Sequence, residues 1–344
     1  MVKRILSLDG GGVKGVIILK FLQQLEETKQ IKIADYFDVF AGTSTGALIA
    51  TLFAYKKLTA SEILETIYTA SNFQKIFYQG YYSWALSAFQ IRSRYDDIEK
   101  LSFIDKYMNS QGEVRLSDID KPVLITSYCP VEKVPILFRN YFGKPDYLLR
   151  EVCNATSAAP TYFPIAKVNC PKSSINETSK EELDKVLHSQ QSEKTEENQE
   201  KAAVTSESFM WLVDGGVFAN NPADLAYIDA LELFPNEKFK ILSIGTGITK
   251  SNFQKVTNPS IGGWEWMVDD NIIDLLLDSN QVASHIRTKH LSKKNGDSYL
   301  RINEYLHLAS SKMDDTTEKN YKKLLEEGEL WWRLYKDSEF IREL

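Results

Sequence analysis

Ser44 lies in the stretch Gly42-Thr43-Ser44-Thr45-Gly46, a G-x-S-x-G spacing. In that spacing a serine on a sharp strand-to-helix turn exposes its hydroxyl as a nucleophile, and the flanking glycines make room for the tight backbone. Such a serine needs a base, ordinarily a histidine oriented by a carboxylate. The chain has four histidines. His188 falls in a polar stretch, His285 and His290 in a helix rich in Lys and Arg, and His307 near a late strand or turn. None stands in a glycine-rich strand-end turn, so the base is sought among the carboxylates. Asp214 ends the apolar run FMWLV and is followed by Gly215 and Gly216, then by Asn220, Asn221 and Pro222 at the start of a helix. At the carboxyl end of a strand in a parallel sheet it would share an edge with Ser44, the edge where such sheets hold ligands, and could accept the hydroxyl proton directly. The alternative for this segment is a turn aspartate capping its own loop.

A second glycine turn opens the chain. In ILSLDGGGVKG, residues 5–15, Gly10, Gly12 and Gly15 satisfy G-x-G-x-x-G after a strand. Glycines there let backbone N–H groups converge at a helix start, which suits a pyrophosphate or a short-lived oxyanion alike. A Walker loop is excluded, because no Gly-Lys-Ser/Thr ends the turn. A dinucleotide site would want an acidic residue at the end of the second strand. Asp35 and Asp38 flank or begin that strand, and the Ser44 turn occupies its end. Asp9 could compete as the base. Its preferred role is structural, a carboxylate bonding backbone N–H groups to hold the glycine loop in shape.

These turns require particular elements to hold them. Residues 5–8 predict a buried strand and 13–27 a helix, with Ile18, Phe21, Leu22 and Leu25 at helical spacing. Residues 37–41 predict a strand and 47–55 a helix, which repeats the grammar. Further buried strands are expected from Pro122 and from Phe239. Strands alternating with helices imply an α/β fold with a mostly parallel central sheet covered on both faces. Residues 172–208, rich in Ser, Glu, Lys, Gln and Thr and free of aromatics, read as a solvated, disordered insertion. A helix is expected after Gly263 to about Leu291, then a strand in SYLRINEYL. Asp315 and Glu318 are spaced as a capping box, ahead of a helix whose Tyr321, Leu324, Leu325, Trp332 and Tyr335 form a core-facing stripe. The organisation read from this is a main domain over 1–310 and a C-terminal helix, 311–344, packed on it.

The net charge of -6 offers no general attraction to nucleic acid or to an anionic membrane. Three cysteines, Cys129, Cys153 and Cys170, lack zinc-type spacing and cannot complete a disulfide framework, which favours a reducing compartment. No signal peptide is evident, and no run reaches the roughly 20 apolar residues of a membrane span. A soluble, cytoplasmic chain that is at most peripheral on membranes is expected, with export as an effector left open. The aromatic stretch 77–89 and Trp264 with Trp266 are candidates for an interfacial patch or for packing under a loop. The basic run 287–294 reads as a solvated helix face.

Three ordered motifs, DGGGVKG (9–15), GTSTG (42–46) and DGG (214–216), together with NATSAAPTYFP (154–164), DGGVFANNP (214–222) and ILSIGTG (241–247), resemble the patatin-like phospholipases over roughly residues 3–310. The resemblance implies a three-layer α/β/α fold and a lipid acyl hydrolase of phospholipase A type that needs neither metal nor cofactor. It implies Ser44 as nucleophile, Asp214 as base, and the N–H groups of Gly10, Gly11 and Gly12 as the oxyanion hole. Asp9, Lys14, Gly15, Gly42, Gly46, Gly215 and Gly216 support the motifs. Lys14 departs from the family's usual Arg, which puts any bidentate role there in doubt but leaves a backbone oxyanion hole untouched. A lipid ester substrate, peripheral membrane contact and a protein or small-molecule activator are the partners it allows. The alternative is a catalytically idle lipid-binding or storage protein.

Overall fold

The structure is a computed structural model that describes residues 2–78, 93–108, 112–143, 145–170, 209–248 and 271–344, with the backbone alone for 271–274. The expected insertion at 172–208, most of the aromatic stretch 77–89, and Trp264 with Trp266 lie outside the described residues.

Eight strands form one sheet: β1 (Val2–Leu8), β2 (Val39–Gly42), β3 (Val123–Cys129), β4 (Val134–Arg139), β5 (Ala166–Asn169), β6 (Phe209–Asp214), β7 (Lys238–Ile244) and β8 (Ser298–Ile302). Their order is β5-β6-β3-β2-β1-β7-β8, with β4 also paired to β3. The stretch from β3 through β2, β1 and β7 to β8 is parallel throughout, whereas β4, β5 and β6 join antiparallel on the β3 side. The longer helices are α1 (Gly15–Lys29), α2 (Thr45–Thr51), α3 (Ala60–Thr66), α4 (Ala70–Ile76), α5 (Ile98–Met108), α6 (Leu149–Thr156), α7 (Ala223–Leu233), α8 (Asn271–Asn295) and α9 (Glu318–Tyr335).

The strand period sorts the core into two halves. Leu6, Leu8, Phe40, Leu242 and Ile244 face one side, where they meet residues of α1, α2 and α9. Their neighbours Ile5, Val39, Ala41, Leu124 and Ile241 face the other, against Ala226, Tyr227 and Ala230 of α7 and Leu291 of α8. Helices therefore cover both faces, and the fold is three-layer α/β/α.

Helix α1 buries Val16, Ile17, Ile18, Leu19, Phe21, Leu22 and Leu25, a band wider than the stripe of a helix that touches only a sheet. It needs a second cover, and α9 supplies it. Trp332 meets Phe21 edge to face with centroids 5.4 Å apart, and Trp331 is fully buried. Glycine at 328 permits the contact, since a Cβ there would lie 2.6 Å from Lys20 Cβ and 2.9 Å from the Ile17 carbonyl oxygen.

Two local expectations are corrected. The N-cap of the C-terminal helix lies two residues after Asp315: Thr317 caps the helix that starts at Glu318, its hydroxyl accepting the Asn320 N–H, and Asp315 instead accepts from the Thr317 N–H and hydroxyl. The helix expected over 47–55 begins at Thr45 and is α-helical only to Thr51, after which Leu52–Lys56 widens to a π-helix.

Candidate active site

Strand register sets three loops at one height. Leu8 pairs with both Gly42 and Ile244, and Gly42 with Ile125. Gly10 and Ser44 each lie two residues past that level, and Asp214 pairs with Ser127, two residues past Ile125. The route of Asp214 differs from the expectation of a parallel strand. Strand β6 runs antiparallel to β3, and only Val213 and Asp214 pair with it, at Tyr128 and Ser127. The strand thus descends from beyond the sheet's carboxyl edge and stops there, which delivers its last residue to the edge where β2 releases Ser44.

Ser44 has φ 52° and ψ -123°, a conformation a side chain rarely adopts and one that costs on the order of 1–3 kcal/mol. The surroundings enforce it. The Ser44 N–H donates to Thr156 Oγ1 at 2.9 Å, and the buried Thr43 hydroxyl is held 2.7 Å from Thr126 Oγ1 and 2.6 Å from the Ala219 carbonyl. Gly42 closes β2, and Gly46 is glycine because a Cβ would stand 2.2 Å from the Leu8 carbonyl oxygen. Gly15 starts α1 against Thr45.

Asp214 is buried, with its Oδ1 accepting the Gly216 N–H at 2.8 Å. Burial pushes its carboxyl up to about 6, against the Ser44 hydroxyl, the Gly216 N–H and the Lys100 ammonium, all of which favour the charged form. Gly215 lies directly over Thr126, so β6 can close on β3.

The glycine loop is shaped from three sides. Gly10 donates its N–H to the Asn220 carbonyl at 3.3 Å, and its own carbonyl accepts from Thr246 Oγ1 at 2.7 Å. Gly12 takes φ +60°, and the Val13 N–H donates to the Met313 carbonyl at 3.0 Å, so any Cβ on Gly12 would strike that carbonyl oxygen at 2.2 Å. The N–H groups of Gly11 and Gly12 carry no hydrogen bond among the described residues. Asp9 does not bond loop amides as the sequence suggested. It is fully buried and paired through both oxygens with the Arg301 guanidinium of β8, which also donates to Ser243 Oγ at 2.8 Å. A bidentate guanidinium partner satisfies both oxygens of a buried carboxylate with charge-assisted hydrogen bonds.

Ser44, Asp214, Gly10, Gly11, Gly12, Lys14 and Gly216 all border a cavity of about 500 Å³. Its wall is mainly apolar, with Leu48, Phe73, Phe77, Phe103, Phe163 and Leu276 among the lining residues. His285, His290 and His307 do not line it. His285 faces the Tyr299 hydroxyl and His290 its own helix carbonyl at Ile286. Among the described residues, no group of three or more His, Cys, Asp or Glu could hold a metal ion.

Sequence reasoning did not single out Lys100, Thr156 or Arg301. A lysine in an amphipathic helix and a threonine at a helix end carry no spacing signal. Only the tertiary fold brings them to the site.

A strained serine and a buried carboxylate thus meet at the carboxyl edge of a mostly parallel α/β/α sheet, over a mainly apolar cavity. The model of the patatin-like phospholipase family matches residues 6–227. The chain is 32% identical to Patatin-like protein 1 of Arabidopsis thaliana over 94% of its own length and 80% of that protein's. It is 27% identical to Patatin of Solanum tuberosum, over 94% and 82% of the two chains. Among solved structures, VipD from Legionella pneumophila matches at a TM-score of 0.40 and 12% identity, covering 96% of this chain and 67% of that one, too loose a likeness to carry an argument. The chain belongs to the patatin-like phospholipase family, a family of lipid acyl hydrolases.

Proposed function

We propose that the protein is a calcium-independent acyl hydrolase of phospholipase A type that works through a Ser44–Asp214 dyad. The observation that carries this reading is the Ser44 hydroxyl set against the buried Asp214 carboxyl inside an apolar cavity large enough for an acyl chain. Ser44 Oγ attacks the ester carbonyl carbon while its proton passes to Asp214. The oxygen that becomes negative accepts hydrogen bonds from the N–H groups of Gly11 and Gly12. Gly10, expected to be a third donor, has its N–H committed to Asn220 and serves instead to fix the loop. Collapse of the tetrahedral intermediate expels the lysolipid alcohol, which takes the proton back from Asp214. Water, deprotonated by the same carboxylate, then releases the fatty acid from Ser44.

No described helix is long and apolar enough to cross a membrane, and the proposed contact with lipid is peripheral. It is supported by Val217, Leu275 and Leu276, apolar residues that line the cavity and are 39%, 48% and 55% exposed.

The test is fatty-acid release from mixed phospholipid vesicles in excess calcium chelator, for wild type, Ser44→Ala and Asp214→Asn. The expected outcome is release by wild type that withstands chelation and falls by at least about 1000-fold in either variant, since members of such a unit fail together. Release that persists in Ser44→Ala would overturn the dyad, and wild-type silence together with tight vesicle binding would favour an idle lipid-binding protein.

A further inference from the structure

Lys100, on α5, is 3% exposed and lines the cavity that holds Ser44 and Asp214. A buried ammonium without a carboxylate in contact is unfavourable, yet none pairs with it directly among the described residues. Its Nζ donates to the carbonyls of Asn154, at 3.4 Å, and Ser157, at 3.3 Å, and lies 4.5 Å from the centre of the Phe163 ring. Those carbonyls stand at the C-terminal end of α6, where a helix leaves carbonyls unpartnered and concentrates negative potential.

The same short segment holds both members of the dyad. The Ser44 N–H donates to Thr156 Oγ1 at 2.9 Å, and the Asp214 N–H to the Ala158 carbonyl at 3.0 Å. Residues 154–158 therefore form a jig between the two reacting groups, and Lys100 is bonded to it on either side of Thr156.

We propose that Lys100 is a positioning residue for the dyad: the 154–158 segment that carries Ser44 and Asp214 seats its ammonium so that the positive charge bears on the Asp214 carboxylate. This rests on the dyad reading above, although its first test needs no turnover. The coupling is reciprocal. Lys100 favours the charged form of Asp214, and Asp214, with Asp97, favours the charged form of Lys100, while burial lowers the ammonium to about 8. Lys14, Tyr68, Tyr162, Asp278 and Lys312 are the other titratable groups on the cavity wall, and of the charged side chains there Lys100 is the one that acts on Asp214.

The experiment is a pH titration of the Asp214 carboxyl carbon by NMR in the full chain labelled at aspartate, with Asp214→Asn assigning the signal. Wild type should show its main inflection near pH 6 and a second, smaller step near pH 8 as Lys100 loses its proton. In Lys100→Met the main inflection should rise by roughly one pH unit and the second step vanish. Lys100→Arg should restore the low inflection. The acid limb of kcat/KM on a soluble short-chain ester should move in parallel. A uniform loss of rate at every pH, with the carboxyl titration unmoved, overturns the proposal. So does a single-step titration in wild type, a result that stands even if Lys100→Met does not fold. Absence of turnover alongside the expected carboxyl shifts upholds the coupling and overturns the hydrolase reading instead.

Discussion

A carboxyl group taken out of water resists ionising, and Asp214 has only neutral donors in contact to compensate, so its folded value rises from the ordinary 3.8 to about 6. Linkage fixes the sign of the consequence. The folded state binds the proton more tightly than the unfolded chain, so stability falls as pH rises from about 4 to about 6 and stays reduced above that. The loss is of order 1–3 kcal/mol, the scale of a shift of this size. Asp214→Asn removes the charge and keeps an oxygen for the Gly216 N–H. It should therefore unfold at a higher denaturant concentration than wild type at pH 7.5 and lose that advantage near pH 4. Equal midpoints at both pH values would mean that the carboxyl is not strained in the folded chain. This tension is what a general base for a serine needs, because a carboxyl near 6 is a better proton acceptor than an ordinary aspartate and is still ionised at neutral pH. The serine turn, the strand-end aspartate and the glycine turn were legible in the sequence because each is a local spacing of a few residues around a turn. Lys100 and Arg301 were not, because each reaches the site across more than fifty residues of chain and nothing in its own neighbourhood marks it, and although Thr156 lies within NATSAAPTYFP, nothing there marks its hydroxyl as the partner of the Ser44 N–H.

At the scale of elements, the parallel centre and the covering helices follow from the period of their apolar residues. The direction of β6 does not, because a period-2 pattern reads the same in either sense along a strand. The start of α9 was misplaced for a related reason: Asp315 and Thr317 are both acceptable caps, and tertiary contacts choose between them. Asn320, besides meeting the Thr317 cap, accepts the Ser310 N–H at 2.8 Å, and the buried Glu327 accepts the N–H groups of His307 and Leu308. Helix α9 thus anchors residues 307–310, the approach to Met313, whose carbonyl supports the glycine loop. The closeness of α9 to α1 is set at Gly328. Gly328→Val would place its branched carbon against Lys20 Cβ and the Ile17 carbonyl and force the helices apart, at about 1–3 kcal/mol. The melting temperature should fall by several degrees, with Gly328→Ala intermediate. An unchanged melting temperature for the valine variant would show that the two helices can separate freely.

For the molecule as a whole, the proposed peripheral contact with lipid has to be reconciled with a net charge of -6. General electrostatics does not help, since an anionic bilayer repels such a chain at long range and the Debye length in physiological salt is only about 8 Å. Apolar insertion is the remaining force, and it should act where exposed apolar residues also line the cavity. Leu275 and Leu276 meet both conditions, and each leucine moved from water into a bilayer interface contributes at most about 1.5–3 kcal/mol. Leu276→Asp removes one such contribution and sets a charge at the rim, so vesicle hydrolysis should drop on the order of tenfold or more. Hydrolysis of a water-soluble short-chain ester should stay within about twofold, because the dyad and the glycine loop are untouched. Parallel loss on both substrates would assign Leu276 to the acyl cavity alone. With wild type, raising the salt from 50 to 300 mM should leave vesicle turnover unchanged or raise it slightly as repulsion is screened, whereas a steep fall would mean that the surface is engaged through a basic patch and not through this apolar rim.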